Sequence, residues 1–191
     1  QEYGITDYEL AQANSISPYE VLYPGQHIKV PVHHIAVKET LYPYGEVLDW
    51  FQEGQYVFPA GKTGKFIDIQ TGKSFNAQRT MGANHADVET LTGEDTRIMK
   101  EIFGGYWNWN RRMFILEIED RRFAVSISGM PHAGADGEPF LKDIEGRSND
   151  KIKGNEMNGH FDVYFLNAIR HKDNQIDSRH QHMVLLAGGL R

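Results

Sequence analysis

The 191-residue chain contains no cysteine. Disulfides, thiolate metal ligands and a cysteine nucleophile are thereby excluded, and any chemistry falls to imidazole, carboxylate and hydroxyl groups. The same absence suits a protein exported by a bacterium that does without disulfides, and equally a cytosolic protein. No apolar run approaches the ~20 residues that cross a bilayer, so no integral membrane span is expected. A basic excess is missing as well. With 20 Lys and Arg against 26 Asp and Glu, the formal charge is −6. That balance argues against nucleic acid as a partner, because phosphate backbones are bound by concentrated positive surfaces. The chain opens on Gln1 with no start methionine or signal sequence, as expected of a processed chain or a piece of a longer one.

Histidine, by contrast, is plentiful. Nine are present, and four stand beside carboxylates or in polar turns: His85-Ala86-Asp87, Pro131-His132, Gly159-His160-Phe161-Asp162 and His171. Imidazole and carboxylate at short spacing bind borderline metals or pass protons near neutral pH. A hydrophobic content of 40%, with 12% aromatics, supplies the core of one moderate domain, or of that domain plus a small module.

Thr6-Asp7-Tyr8-Glu9 is a capping box ahead of Leu10 and Ala13, which predicts a helix from about 7 to 14. Tyr23-Pro24-Gly25-Gln26 reads as a turn, and His27-Ile28-Lys29-Val30-Pro31 as a strand stopped by proline. In order and spacing, Tyr3-Gly4-Ile5-Thr6, Glu9-Leu10, Ala13-Asn14 and Leu22-Tyr23-Pro24-Gly25-Gln26 through Val30-Pro31 resemble the second half of a LysM module. The resemblance implies a small βααβ unit that binds N-acetylglucosamine in peptidoglycan or chitin. Without the first strand of that unit, the strand at 27–30 has no antiparallel partner of its own. Residues 1–32 are assigned to this module, and 33–43, with His33-His34, to a linker of surface residues.

From Tyr44 onward the chain reads as a single α+β domain, 44–191, with an antiparallel sheet or small barrel and a few flanking helices. Glu46 to Phe51 is expected to form a short amphipathic helix closed at Gly54, and Gln55-Tyr56-Val57-Phe58-Pro59 a strand. Lys65 to Ile69 pairs with Lys73 to Ala77 across Gln70-Thr71-Gly72. Thr92 caps a helix carrying Ile98, Met99, Ile102 and Phe103 at helical spacing. A second hairpin joins Met113 to Ile118 with Phe123 to Ser128, and 133–158 reads as a long surface loop. In the strand beginning at His160, alternation puts His160, Asp162 and Tyr164 on one face and Phe161, Val163 and Phe165 on the other. A last helix starts near Asp177-Ser178, with Gln181 in the capping-box position.

Two His-x-Asp pairs on separate strands can supply three ligands to one metal and leave a carboxylate as general base. The alternative is a buried polar network in which Asp87 orients His85 and Asp162 bonds nearby backbone. Tyr164, on the polar face beside His160, is a candidate donor to an oxyanion. His132 and His171 are candidates for a further ligand or a general acid. Arg79 is a candidate for receiving a substrate carboxylate, and Trp107 and Trp109 are candidate sugar platforms.

A second resemblance covers nearly all of 44–191. It is carried by Tyr44-Gly45-Glu46, Leu48-Asp49-Trp50, Gln55-Tyr56-Val57-Phe58-Pro59, Thr71-Gly72-Lys73-Ser74-Phe75, Arg79-Thr80, Gly82-Ala83-Asn84-His85-Ala86-Asp87, Met130-Pro131-His132, Gly159-His160-Phe161-Asp162, Phe165-Leu166-Asn167 and His180-Gln181. These strings resemble a little-characterised domain of LysM-bearing proteins in Gram-positive, often clostridial, bacteria, described in some members as a zinc-dependent amidase or peptidase. The resemblance implies an extracellular or wall-bound peptidoglycan hydrolase, similar to D-alanyl-D-alanine metallopeptidases. Carried over residue by residue, it places His85, Asp87 and His160 around zinc; beside that, the residues themselves make Asp162 the expected base and His171 or His132 a further ligand or general acid. Tyr164 stands where the family pattern has a second histidine, and Val88 where some relatives carry cysteine. The competing expectation is a non-catalytic wall-binding domain with a histidine-rich polar network.

Overall fold

The computed structural model describes residues 5–137 and 149–190. Helix α1 is Asp7–Asn14, with the Thr6–Glu9 capping box formed in both directions. It is followed by α2 (Gln55–Val57), β1 (Thr63–Asp68), β2 (Ser74–Met81), β3 (Ala86–Thr90), α3 (Gly93–Ile102), β4 (Asn108–Ile118), β5 (Arg121–Gly129), β6 (Phe161–Tyr164) and α4 (Ser178–Ala187). The six strands close into a barrel in the order β1-β2-β3-β6-β5-β4, every ladder antiparallel. The expected α+β class with a small antiparallel barrel is what the chain adopts. Closure leaves no free sheet edge, and β6, only four residues long, is the strand that joins the two hairpin-built halves.

Aromatic rings fill the barrel. Phe75 of β2 lies 6.0 Å from Phe114 of β4 and 5.9 Å from Phe161 of β6, and Phe66 of β1 lies 5.9 Å from Phe161. None of these strands are neighbours, so the rings meet across the interior. Residues one position along each strand therefore point outward. Outside β3 and β6 the outward face is polar and still buried, because α4, the 165–176 loop and residues 149–158 cover it.

Several local expectations are corrected. Residues 46–49 are extended, since Glu46 and Phe123 form a bridge beside β5 and the Glu46 carboxylate holds Arg121 at 2.7 Å. The helical turn starts later, as a π-helix over Trp50–Gly54 capped by Asp49 Oδ1, which accepts the Phe51 and Gln52 N–H groups at 3.0 Å. Gln55-Tyr56-Val57 is helix rather than strand: Phe58 N–H still reaches the Gly54 carbonyl at 3.1 Å, and Arg79 takes the Gln55 and Phe58 carbonyls. The 27–30 stretch is not a strand. Asn14 replaces the missing ladder, donating to the Lys29 carbonyl at 2.8 Å and accepting its N–H at 2.7 Å. The cap of α4 is Asp177, and Gln181 instead accepts the Asn167 N–H at 2.7 Å.

The segment 33–43 has no regular structure but is tied down. His33 stacks on Tyr56 at 3.7 Å and pairs with Glu9 at 3.2 Å, while Arg121 donates to the Ile35 and Ala36 carbonyls. Of the expected surface loop, 138–148 lies outside the described residues. Residues 149–158 are surface only in part: Lys151, Lys153, Gly154, Glu156 and Asn158 are exposed, whereas Asp150, Asn155 and Met157 are fully buried, with Asn155 donating to the Thr90 carbonyl at 2.8 Å.

Candidate metal centre

Asp87 and Asp162 face each other directly in the β3–β6 ladder, with Val88 opposite Phe161 as the inward pair. Like charges at opposed positions of a ladder repel, and both carboxylates are nearly inaccessible at 4% and 8% exposure. Their survival as a pair requires positive charge between or around them. Four imidazoles surround them. His85 Nε2 lies 3.1 Å from Asp162 Oδ1 and 3.4 Å from Asp87 Oδ1. His171 Nε2 is 3.2 Å from Asp87, His160 Nε2 is 3.8 Å from Asp87, and His132 Nε2 is 3.5 Å from Asp162. The two His-x-Asp pairs of the sequence thus meet, and His132 and His171 join them from loops.

The backbone fixes two of the rings. His85 Nδ1 lies 2.7 Å from the Ile169 carbonyl, and His132 Nδ1 lies 3.0 Å from the Met130 carbonyl. A carbonyl oxygen only accepts, so each Nδ1 carries its proton and each Nε2 is aimed at the carboxylates. That is the arrangement in which a metal-ligating histidine is held by its surroundings. The loop carrying His85 is fixed in turn by the Trp50 indole N–H, which donates to the Ala83 carbonyl at 2.7 Å.

Two glycines make the approach possible. Gly82 has φ +93°, and a Cβ there would stand 2.2 Å from the His85 carbonyl oxygen; Gly159 has φ +78°, and a Cβ would stand 1.9 Å from the His132 carbonyl oxygen. Each glycine lies just ahead of a His-x-Asp pair.

Charge is distributed unevenly over the cluster. Burial alone would push the His85 imidazolium down, but its bond to Asp162 and the two carboxylate charges win and raise it. His160 is lowered, chiefly by burial. Burial opposes ionisation of Asp162 too, yet the His85 bond and the surrounding imidazoles hold it down to about 2. Asp87 is lowered in the same way, its His171 bond and neighbouring imidazoles outweighing burial. Tyr164 is wedged between His85, at 4.5 Å, and His180, at 3.9 Å; burial and Asp162 push its phenol far upward, so it stays protonated.

Among the described residues, four buried side-chain atoms have no hydrogen-bond partner: His160 Nδ1, Ser128 Oγ, Arg111 Nε and Arg122 Nε. Three belong to this face, since Ser128 pairs with Arg111 across β4–β5 and the Arg111 guanidinium reaches Asp177 at 2.8 Å. Unsatisfied buried groups are rare, and each calls for an explanation such as a bound ion, an ordered water or a catalytic role.

The remaining predicted residues divide. Trp109 is half-exposed with its ring 5.2 Å from His132, at the edge of the cluster. Trp107 packs on the core under Lys100. Arg79 is buried and donates to the Met81, Gln55, Phe58 and Gly82 carbonyls while lying 4.6 Å over Trp50. Four of its five N–H groups are thereby occupied in shaping the turn before His85. Sequence reasoning missed Ser126, Asp177 and His180, which back the site: His180 Nδ1 lies 2.8 Å from Ser126 Oγ, and burial lowers its imidazole to about 3. The Asp177 helix cap and the His180-Gln181 string had drawn notice, but neither pointed to the site.

Two groups of donors gather within 4.8 Å, His85 with Asp87 and His171, and His132 with His160 and Asp162. Imidazole and carboxylate without thiolate is a donor set for zinc and similar divalent ions. The unpartnered, buried His160 nitrogen and the opposed aspartates fit a bound cation. Residues 1–31 match the LysM domain family. LysM domains bind N-acetylglucosamine-containing glycans. The match covers only that segment, and it supports an association with peptidoglycan. No curated protein and no solved structure matches the chain. Among the described residues, no helix is long and apolar enough to cross a membrane.

Proposed function

We propose that this chain is a zinc-dependent hydrolase of the Gram-positive cell wall, an amidase or peptidase that cuts amide bonds in peptidoglycan outside the cell. Residues 1–32 hold it on the glycan, 33–43 connect, and 44–191 carry the chemistry. The observation that carries the reading is the buried cluster of four histidines and two opposed aspartates, two of whose imidazoles are locked by backbone carbonyls with Nε2 aimed inward.

His85 and Asp87 would hold the ion in this reading, with His171 or His160, 3.2 Å and 3.8 Å from Asp87, as the third ligand. Bound zinc supplies Lewis acidity and lowers the pKa of a coordinated water toward about 7. Were His85 to serve as a ligand, its Nε2 would be unprotonated and would no longer donate to Asp162, which it now meets at 3.1 Å. That carboxylate is then free to accept the proton of the attacking water. His132, on the solvent side of the cluster, protonates the leaving amine. Tyr164, kept neutral by burial, donates to the developing oxyanion. Trp109 offers a flat face to a sugar beside the cut. Arg79 and Trp50 position the His85 turn rather than touching substrate.

The test is release of new amino groups from purified peptidoglycan. Release that stops in strong chelator, returns with zinc and is lost in His85→Ala is the expected result. The contrary outcome, sacculi bound with no amine released at any zinc level, assigns the cluster to a polar network in a non-catalytic wall-binding protein. That alternative draws on one feature: each aspartate already has imidazole partners.

A further inference from the structure

We infer that the cluster is built to hold two divalent cations. The inference rests on the metal-dependent reading of the site and concerns how many ions its residues accept. A catalytic zinc takes three protein ligands and leaves the fourth position open. Six donor residues gather here, and they divide into two sets that share no member: His85, Asp87 and His171 in one, and His132, His160 and Asp162 in the other; with both ions bound, His132 and Asp162 serve as ligands in place of the acid and base roles that a one-ion site leaves them. A single ion satisfied by three residues would leave a complete second set behind.

The strand geometry shows why two sets arise. β3 and β6 run antiparallel with Asp87 exactly opposed to Asp162 in the ladder. Each strand carries its histidine two residues before the aspartate, so the two His-x-Asp pairs are related by a local two-fold axis between the carboxylates. The loops extend the same relation. Asp87 has a loop histidine, His171, at 3.2 Å, and Asp162 has His132 at 3.5 Å. Each set also contains one imidazole whose Nδ1 is locked by a backbone carbonyl, His85 by Ile169 and His132 by Met130. Across the axis, His85 reaches Asp162 at 3.1 Å and His160 approaches Asp87 at 3.8 Å, so either carboxylate can be shared between the sets.

One asymmetry concerns His160, a member of the second set. His160 has a side chain only 4% exposed, and its Nδ1 has no hydrogen-bond partner. A buried imidazole nitrogen without partner in a set of donors is accounted for by a ligand. Paired ions suit the amide hydrolysis proposed above, because two cations on opposite sides of a substrate stabilise both attacking and leaving groups.

The full-length chain, stripped with chelator and refilled with Zn²⁺, is weighed by native mass spectrometry and checked by elemental analysis. Two ions per chain are expected in the wild type, falling to one in His132→Ala and to one in His171→Ala, and to none when both are replaced. Mn²⁺ in place of zinc gives a second readout: two ions this close produce a spin-coupled resonance that either single substitution replaces with that of an isolated ion. One ion per chain in the wild type overturns the inference, whatever the variants do. So do two ions that survive both substitutions, which marks adventitious surface sites. Amide hydrolysis with one ion sinks this inference alone, two ions without hydrolysis sink only the proposed activity, and no binding sinks both.

Discussion

Phe161 and Asp162 are adjacent on β6, yet one faces the barrel interior and the other its outer side. Inside, Phe161 meets Phe66 and Phe75 in an aromatic core with no polar atom to satisfy. Outside, Asp162 meets Asp87, His85 and His132 in a cluster of carboxylates and imidazoles, and buried polar atoms on the same face stay unsatisfied. Both faces are buried, so burial alone does not separate scaffold from site. What separates them is that the inner face is complete without anything added, whereas the outer face brings like charges together and leaves donors unused. A fold tolerates such a face when something other than stability holds it in place.

The contrast can be broken most directly from the inside. Phe161→Ala empties the space between two rings of other strands and is expected to destabilise the barrel by about 3–5 kcal/mol, measured by denaturant unfolding. Equal destabilisation by Asp162→Asn would erase the distinction between the faces. Gly159→Ala tests the joint between them. Its left-handed backbone costs an L-residue about 1–2 kcal/mol before the clash with the His132 carbonyl is counted. The expected outcome is a lower unfolding midpoint together with weaker zinc binding, because His132 and His160 shift together; loss of stability with unchanged zinc affinity would uncouple backbone from site.

The smallest effect concerns the backing layer. His180 is buried and its pKa drops from 6.5 to about 3 on folding. Between those values the unfolded chain binds the extra proton, so this histidine contributes stability that is fully present above pH 6.5 and is lost as pH falls toward 3. His180→Gln keeps an acceptor for Ser126 and should flatten the pH slope of unfolding free energy by up to one proton in that window. An unchanged slope would show that His180 titrates as an exposed imidazole.

Much of the scaffold was legible because its cues are local. The Thr6–Glu9 capping box, the Thr71-Gly72 turn and the Thr92 cap each fix an element within a few residues. Period-2 alternation in 160–165 put Phe161 and Val163 in the barrel core and Asp162 on the opposite side of the strand. Residues 46–59 misled in two ways, an amphipathic pattern at 46–51 that read as helix and an aromatic run at 55–59 that read as strand, while the deciding contacts come from Arg79, Arg121 and Phe123, far along the chain. For the same reason the sequence showed two His-x-Asp pairs but not that β3 and β6 are neighbours with the aspartates in register. His171 and His132 stood out only as polar histidines in turns. His180 gave no sign of burial, since its helix looks weakly amphipathic and the covering of β5 is a tertiary fact.

The account stands or falls on whether the polar face holds metal. The most direct measurement is an anomalous difference map at the zinc edge from crystals of the full chain grown without chelator. Density at ligand distance from His85 Nε2 and the Asp87 carboxylate, absent in His85→Ala crystals, is the predicted result. Imidazole and carboxylate in direct hydrogen bonds, with no anomalous density between β3 and β6 at saturating zinc, would contradict it.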